Sequence, residues 1–174
     1  MTELRQLFLL RHAKSSWDDP ALDDFDRPLN NRGRRNAAAL ADHFRASAIR
    51  PALILCSAAR RTRETYAVLE PAIEGVPVTF EAELYEATRH DLLDRLRRLD
   101  DHLQSVLLIG HNPGLEHLAT ELCQGQGNAK RLARLAEKFP TCALATLEAG
   151  IAHWGALQDG TCRLTGFLRP ADLD

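Results

Sequence analysis

The sequence lacks an apolar run long enough to cross a membrane, and its first residues lack the pattern of a signal peptide. It also lacks an excess of one sign of charge, since 22 basic and 24 acidic side chains give a net charge of -2. This balance argues against general binding to nucleic acids or membrane surfaces, and it leaves local basic patches open. We therefore expect a cytoplasmic protein without a nucleic acid or membrane partner.

Cysteine spacing of the C-x-x-C type is also absent. The four cysteines are scattered along the chain, at Cys56, Cys123, Cys142 and Cys162. Cysteines scattered in this way favour buried reduced thiols over a metal site, so we expect neither a metal nor a cofactor. Internal repeats, low-complexity tracts and linkers are missing too, and the 174 residues are expected to form a single domain over 1–174.

The four apolar residues 7–10 are followed directly by Arg11 and His12. A short apolar run between polar residues is typical of a strand that is buried on both faces of a parallel sheet. Ligands of open α/β sheets bind at the carboxyl ends of the strands, so Arg11 and His12 lie where chemistry is usually found. Taken alone, such a strand end is more often the start of a solvated loop.

Two further apolar runs, 52–56 and 105–109, also end in polar residues. Ser57 and Arg61 follow the first run, and His111 follows the second. Because crossover helices make such strands parallel, all three ends are expected at one edge of the sheet. We predict an α/β fold of three layers, with a mostly parallel central sheet and helices on both faces.

The remaining periodicity predicts the other elements of this fold. Helices are expected over 34–48, from the residues after Ser57 to 69, and over 89–99, 115–123 and 130–139, and strands over 76–80, 142–148 and 161–168. Ser57 is predicted as the N-cap of the second helix, where the arginines that follow oppose the helix dipole unless an anion binds there. The long, turn-rich segment 16–32 is expected to be a functional loop over the mouth of a pocket.

The polar residues at the three strand ends favour an anion site. Guanidinium groups match the oxygens of a phosphoryl group, and two arginines with an imidazolium can neutralise a dianion without a metal. Each residue alone has a simpler interpretation, with Arg61 as a surface charge and His111 as a turn residue. Their recurrence at three neighbouring strand ends favours the shared pocket.

Four motifs follow one another in this region: Leu-Leu-Arg-His-Ala-Lys-Ser-Ser-Trp at 9–17, Asp-Arg-Pro-Leu-Asn-Asn-Arg-Gly at 26–33, Ser57-x-x-x-Arg61-x-x-x-Thr65, and Gly-His-Asn-Pro-Gly at 110–114. In order and spacing they resemble the histidine phosphatase superfamily, the phosphoglycerate-mutase-like group. Within it the chain is most similar to the small bacterial SixA-type phosphohistidine phosphatases. The resemblance spans roughly residues 5–120.

The resemblance implies a role for each matching residue. His12 is the nucleophile that becomes phosphorylated, and Arg61, rather than Arg60, occupies the second arginine position of the family. The resemblance implies that Arg11, Arg61 and His111 form the phosphate pocket. Further candidates for substrate binding are Ser15, Asp18 and Asn112. For this chemistry His12 must be neutral, with one ring nitrogen held by a backbone carbonyl and its pKa lowered by positive neighbours. His111 should be protonated when it faces a phosphate dianion.

Three positions depart from the family pattern, and the first is Ala58, which replaces the proline usual after the serine and is expected to matter little. The family's Arg-His-Gly is Arg11-His12-Ala13 here, which is tolerable if φ of Ala13 is negative. Its frequent asparagine is Asp18, which either orients Arg11 or a cationic substrate group or is simply solvated.

The sequence offers three carboxylates after the third strand as candidates for a general acid. Phosphomonoesterases of the superfamily use a carboxylate after the third strand, and Glu86 is the nearest candidate, with Glu81 and Glu83 behind it. An alkoxide leaving group needs that proton, whereas phosphohistidine expels an imidazole of pKa about 6.5 and needs it less. The short span after Tyr85 also leaves no room for an inserted cap, which favours a site open to a protein.

These arguments predict a metal-independent phosphatase that acts on phosphohistidine in a protein, such as a histidine-containing phosphotransfer domain. One alternative is a small-molecule phosphomonoesterase with Glu86 as its acid. An alternative of another class is a non-catalytic module that binds phosphate or another anion. The sequence assigns no functional role to residues 125–174, and His153 and Trp154 are taken as structural.

Overall fold

The computed structural model describes residues 4–173, which form six strands and five helices. The strands are β1 (Leu4–Arg11), β2 (Leu53–Ser57), β3 (Val78–Glu81), β4 (Ser105–Gly110), β5 (Leu144–Gly150) and β6 (Cys162–Leu168). The helices are α1 (Asn31–Ala46), α2 (Arg60–Leu69), α3 (Arg89–Arg97), α4 (Gly114–Cys123) and α5 (Ala129–Glu137).

The strands form one sheet in the order β3-β2-β4-β1-β5-β6. The first four strands of the chain run parallel, while β5 pairs antiparallel with β1 and β6 antiparallel with β5. The mostly parallel sheet predicted from the sequence is confirmed. The carboxyl ends of β1 to β4 and of β6 therefore lie at the same edge.

Helices cover both faces of the sheet and give the three predicted layers. Along β1, Leu7 and Leu9 belong to the core under α3, α4 and α5, whereas Phe8 and Leu10 belong to the core under α1 and α2. Each of these four side chains is at most 5% exposed. A strand buried on both faces needs apolar residues at every position, which explains the continuous run in the sequence.

Strand register brings the polar residues of the three strand ends to one level. Arg11 is paired with Gly110 across β1 and β4, and Cys56 is paired with Ile109 across β2 and β4. The residues that follow these pairs emerge side by side from the sheet. This register places His12, Ser57 and His111 in one neighbourhood.

Two predicted helix starts differ from the structure. Helix α1 begins at Asn31 instead of Arg34, because the Asn30 side chain accepts a hydrogen bond from the Gly33 amide at 2.8 Å and caps it. The prediction that Ser57 caps α2 is wrong. Ser57 is the last residue of β2, the N-cap position belongs to Ala59, and the Ser57 hydroxyl is used inside the site.

None of the helices formed by residues 4–173 has the length and hydropathy needed to span a bilayer. The four cysteines are free and buried, as the sequence predicts. Burial raises the pKa of the thiols of Cys56, Cys123 and Cys142 to about 12.

Candidate active site

The predicted pocket residues Arg11, His12, Arg61 and His111 converge at the carboxyl edge of the sheet. The rings of His12 and His111 lie 5.3 Å apart between centroids. Arg61 comes from the first turn of α2, and its charge lowers the pKa of both histidines. The backbone N–H of His12 donates to the Gly110 carbonyl at 3.1 Å, which joins the ends of β1 and β4.

His12 is held as a neutral imidazole with one free nitrogen. Its Nδ1 lies 2.7 Å from the carbonyl oxygen of Ala13. A carbonyl can only accept, so Nδ1 carries the proton and Nε2 keeps its lone pair. Burial lowers the pKa of His12 to about 3, and the positive charges of Arg61 and Arg11 act in the same direction. The structure therefore contains the expected carbonyl contact at Nδ1, and the pKa of His12 is lowered as expected, with burial as the larger cause.

The Ser57 hydroxyl is bonded to the second histidine. Its Oγ lies 2.7 Å from Nε2 of His111 and 3.3 Å from the amide nitrogen of Ala59, which donates to it. If Nε2 of His111 also donated, the hydroxyl hydrogen of the fully buried Ser57 would have no acceptor. The network therefore favours Ser57 donating to Nε2, with the proton of His111 on Nδ1.

The ionisation of His111 differs from the expected protonated form. Burial lowers its pKa to about 4, and the positive charge of Arg61 contributes. His111 is therefore neutral near pH 7 among these protein groups, and its protonation next to a phosphate dianion stays a prediction. In the tautomer that Ser57 selects, neutral His111 already offers an Nδ1–H donor beside His12.

Two residues that the sequence analysis did not single out position Arg61. The carbonyl oxygen of Asp24 accepts from one terminal nitrogen of Arg61 at 2.7 Å, and the Asp24 carboxylate accepts from the other at 3.0 Å. The Tyr85 hydroxyl donates to the same carboxylate, and its ring packs edge-on against His111. The Tyr85 and Arg27 hydrogen bonds and the charge of Arg61 lower the pKa of Asp24 to about 2.

The loop 16–32 covers this side of the pocket as predicted. Its short 3-10 turn, Asp24–Asp26, carries the Arg61 contact. Arg27 donates to the Asp24 carboxylate at 3.0 Å and to Ser15 Oγ at 2.8 Å, and it stacks on the exposed Trp17 ring at 3.5 Å. Asp24 could not be chosen from the sequence, because it is one of several aspartates in the loop and its partner lies 37 residues away.

The remaining candidate site residues bond to other protein groups or are exposed to solvent. The Ser15 hydroxyl accepts from Arg27, while Asn112 donates to the Phe139 carbonyl at 3.0 Å and accepts from the Glu116 amide at 3.2 Å. The exposed Asp18 lies in a groove lined by Pro28 and Arg32, which fits the solvated alternative. Glu86 is exposed beside Tyr85, and its charge raises the Tyr85 pKa.

The site is rich in buried hydrogen-bond donors that no protein group uses. Nε of Arg11, Nε of Arg61 and Nδ1 of His111 have no partner among residues 4–173. Arg61 and His111 are each more than nine-tenths buried. Buried polar groups are rarely left unpaired in folded proteins, so three of them on the residues that converge with His12 indicate a site for an anion.

Within the same residues, no group of three or more His, Cys, Asp or Glu side chains has an arrangement suited to a metal ion. The chemistry that these residues themselves can perform is nucleophilic attack by Nε2 of His12 on a phosphorus atom. The donors of Arg11, Arg61 and His111 would stabilise the charge on the phosphoryl oxygens.

Comparisons with known proteins agree with the geometry. The sequence profile of the histidine phosphatase superfamily (branch 1) matches residues 7–104. An uncharacterised protein of Mycobacterium tuberculosis is 35% identical over 162 residues, which are 92% of this chain and 99% of that protein. The crystal structure of a candidate phosphohistidine phosphatase SixA from Agrobacterium tumefaciens is 35% identical, has a TM-score of 0.80 and covers 95% of this chain and 98% of that one. A candidate SixA from Nakamurella multipartitia is 26% identical, with a TM-score of 0.83 and 97% coverage of both chains.

The fold, the pocket and these matches define the class of the protein, which is a phosphatase of the hydrolases. The chain belongs to the histidine phosphatase superfamily (branch 1). The alternative of a non-catalytic anion-binding module is thereby set aside.

Proposed function

We propose that this phosphatase removes the phosphoryl group from phosphohistidine in a protein, through a covalent phosphohistidine on His12. The observation that carries the proposal is the state of His12: a buried neutral ring with Nδ1 bonded to Ala13 and a pKa of about 3. Nε2 is thus available as a nucleophile at neutral pH. The neighbouring unpaired donors of Arg11, Arg61 and His111 supply the phosphate pocket.

The reaction proceeds in two transfers. Nε2 of His12 bonds to phosphorus while the bond from phosphorus to the substrate imidazole breaks, and water then cleaves the new bond and releases phosphate. Arg11, Arg61 and His111 bind the phosphoryl oxygens in both steps. These protein groups are sufficient for charge balance, so we expect activity to be unchanged by a chelator.

The leaving group decides between the two substrate classes. The carboxylate that contacts Arg61, Asp24, has a pKa of about 2 and accepts hydrogen bonds from three side chains, so it is a poor proton donor near pH 7. Glu86 is exposed, and no hydrogen bond or ion pair of residues 4–173 ties its carboxylate to the pocket residues. Phosphohistidine expels an imidazole of pKa about 6.5, which has little need of an acid, whereas an alkyl ester expels an alkoxide that must be protonated. The lack of a suitable acid therefore favours phosphohistidine.

The surroundings of the pocket also favour a protein substrate. Only a 3-10 turn, Ala82–Leu84, and a few further residues connect β3 to α3, so no inserted domain covers the mouth. We propose a cytoplasmic role in phosphohistidine signalling, with a histidine-containing phosphotransfer domain as one suitable partner.

The test compares phosphoramidate with an alkyl phosphomonoester as substrates for the wild type, Glu86→Gln and Asp24→Asn. We expect rapid turnover of phosphoramidate, weak turnover of the ester, and little effect of Glu86→Gln on either. Asp24→Asn should lower phosphoramidate turnover about 10-fold through misplacement of Arg61. Acid-labile phosphate on His12 should appear after rapid quenching. A better ester substrate whose turnover Glu86→Gln abolishes would establish the phosphomonoesterase instead.

A further inference from the structure

A second cavity, of about 250 Å³, lies beside the candidate active site. Four basic side chains line it, namely Arg32, Arg134, Lys138 and Arg169. We call this cavity the basic pocket. The four side chains come from the first turn of α1, from the carboxyl end of α5 and from the residue after β6. Three separate elements therefore bring positive charge into one concavity.

The charge of the basic pocket is only partly balanced by the protein. The Asp172 carboxylate accepts from Arg169 at 3.1 and 3.3 Å, and Glu137 lies in the cavity wall. No carboxylate of residues 4–173 forms an ion pair with the other three basic side chains, Arg32, Arg134 and Lys138. Four cations against two carboxylates leave an excess of positive charge, although the whole chain carries a net charge of -2.

The basic pocket and the candidate active site share a wall. The Phe139 carbonyl accepts from the Arg11 guanidinium at 3.0 Å, and the Cys142 amide donates to the His12 carbonyl at 2.9 Å. The two residues between them, Pro140 and Thr141, line the basic pocket. Because consecutive Cα atoms are ~3.8 Å apart, the cavity begins within ~8 Å of backbone that positions the nucleophile.

Charged residues follow the strands at both ends of the sheet. The exposed Glu86 follows β3, at one end of the sheet, and the Asp24 carboxylate lies on the same side through its contact with Tyr85. Arg169 follows β6, at the other end. A macromolecule that covers this edge of the sheet would meet the exposed Glu86 carboxylate near one end and the basic pocket near the other, which favours one orientation.

We propose that the basic pocket binds carboxylate side chains that flank the phosphohistidine of the substrate protein. This inference rests on the proposed function and names the feature by which a partner is recognised, which is an acidic surface next to the phosphorylated residue. Guanidinium forks match carboxylates in shape and charge. Since the pocket is partly exposed, its contribution is to orientation and to the rate of encounter.

The experiment uses phosphohistidine peptides of equal length whose flanking residues are either Glu or Gln. For the wild type, kcat/KM should be about 5- to 10-fold higher with Glu flanks at low ionic strength, and added salt should reduce the ratio. Arg134→Gln combined with Lys138→Gln should abolish the preference and leave phosphoramidate turnover unchanged. The matched control, Lys130→Gln with Arg163→Gln, removes two exposed charges from the opposite end of α5 and the start of β6. It should keep the preference.

The outcomes separate this inference from the proposed function. Equal kcat/KM for the two peptides, or a preference that survives the Arg134 and Lys138 changes, overturns the role of the basic pocket. If the wild type hydrolyses neither phosphoramidate nor either peptide, the proposed function is wrong. In that case the role of the basic pocket is tested by the affinities of the protein for non-hydrolysable phosphonate forms of the two peptides. Equal affinities overturn the role of the basic pocket.

Discussion

At the scale of single residues, the candidate site works by fixing which nitrogen of each histidine carries a proton. The Ala13 carbonyl places the His12 proton on Nδ1, and the Ser57 hydroxyl places the His111 proton on Nδ1 as well. The two rings then present opposite functions, a lone pair on His12 and a donor on His111. Burial, which lowers both pKa values, keeps this arrangement over a wide pH range.

Ser57→Ala tests the tautomer of His111. Without the hydroxyl donor, the His111 tautomer that is protonated at Nδ1 is no longer favoured. The value of kcat/KM for phosphoramidate should then fall about 10-fold, as expected for one weakened hydrogen bond in the transition state. The ¹⁵N chemical shifts of the His111 ring should move away from the Nδ1–H pattern. Ser105→Ala is the matched control, because Ser105 lies at the amino end of β4, far from the site. Unchanged ¹⁵N shifts in Ser57→Ala would disprove the tautomer assignment.

At the scale of elements, the amino end of α1 fastens the loop that follows the nucleophile. The Asn30 side-chain oxygen caps the helix by accepting from the backbone N–H of Gly33. The backbone N–H of Asn30 donates to the Lys14 carbonyl at 3.0 Å. A Cβ added to Gly33 would lie 2.1 Å from the same carbonyl oxygen. The first turn of α1 and the strand end that carries His12 therefore touch backbone to backbone.

Gly33→Ala should separate these two elements. The clash involves a backbone oxygen, so it can be relieved only by moving Lys14 or α1, and we expect a loss of about 1–3 kcal/mol in the free energy of unfolding. Urea denaturation measures this change, and phosphoramidate turnover should fall with it. Gly155→Ala is the control, since no atom lies within 4 Å of its added Cβ. Equal stability of the two variants would show that α1 does not fasten this segment.

Local sequence patterns were sufficient to predict the helices and strands. Contacts between residues far apart in the sequence determine where some of these elements begin and complete the site. The unbroken apolar run 7–10 predicted a doubly buried strand, and the family motifs identified Arg11, His12, Arg61 and His111. Ser57 was misassigned as a helix cap because its partner, His111, is 54 residues away. The pairing of Tyr85 with Asp24 spans 61 residues and has no local signal.

At the scale of the whole molecule, the sheet edge buries two histidines that are neutral near pH 7 when no phosphate is bound. Their side chains are 6% and 8% exposed, at His12 and His111. In the unfolded chain both would take up protons near their ordinary pKa of 6.5, whereas the folded values are about 3 and about 4. Folding therefore competes with proton binding below pH 6.5.

The free energy of unfolding should consequently decrease as the pH falls from about 6.5 to about 4. In this window the unfolded state binds more protons than the native state, so stability rises with pH by about 1.4 kcal/mol per pH unit for each histidine. The two buried histidines, whose pKa values are lowered by burial, supply this slope. Urea denaturation between pH 8 and pH 4.5 measures the slope, and His12→Asn and His111→Asn should each reduce it by the share of one histidine. A slope that neither variant changes would mean that both imidazoles bind protons in the folded protein as readily as in the unfolded chain, and the neutral nucleophile would lose its physical basis.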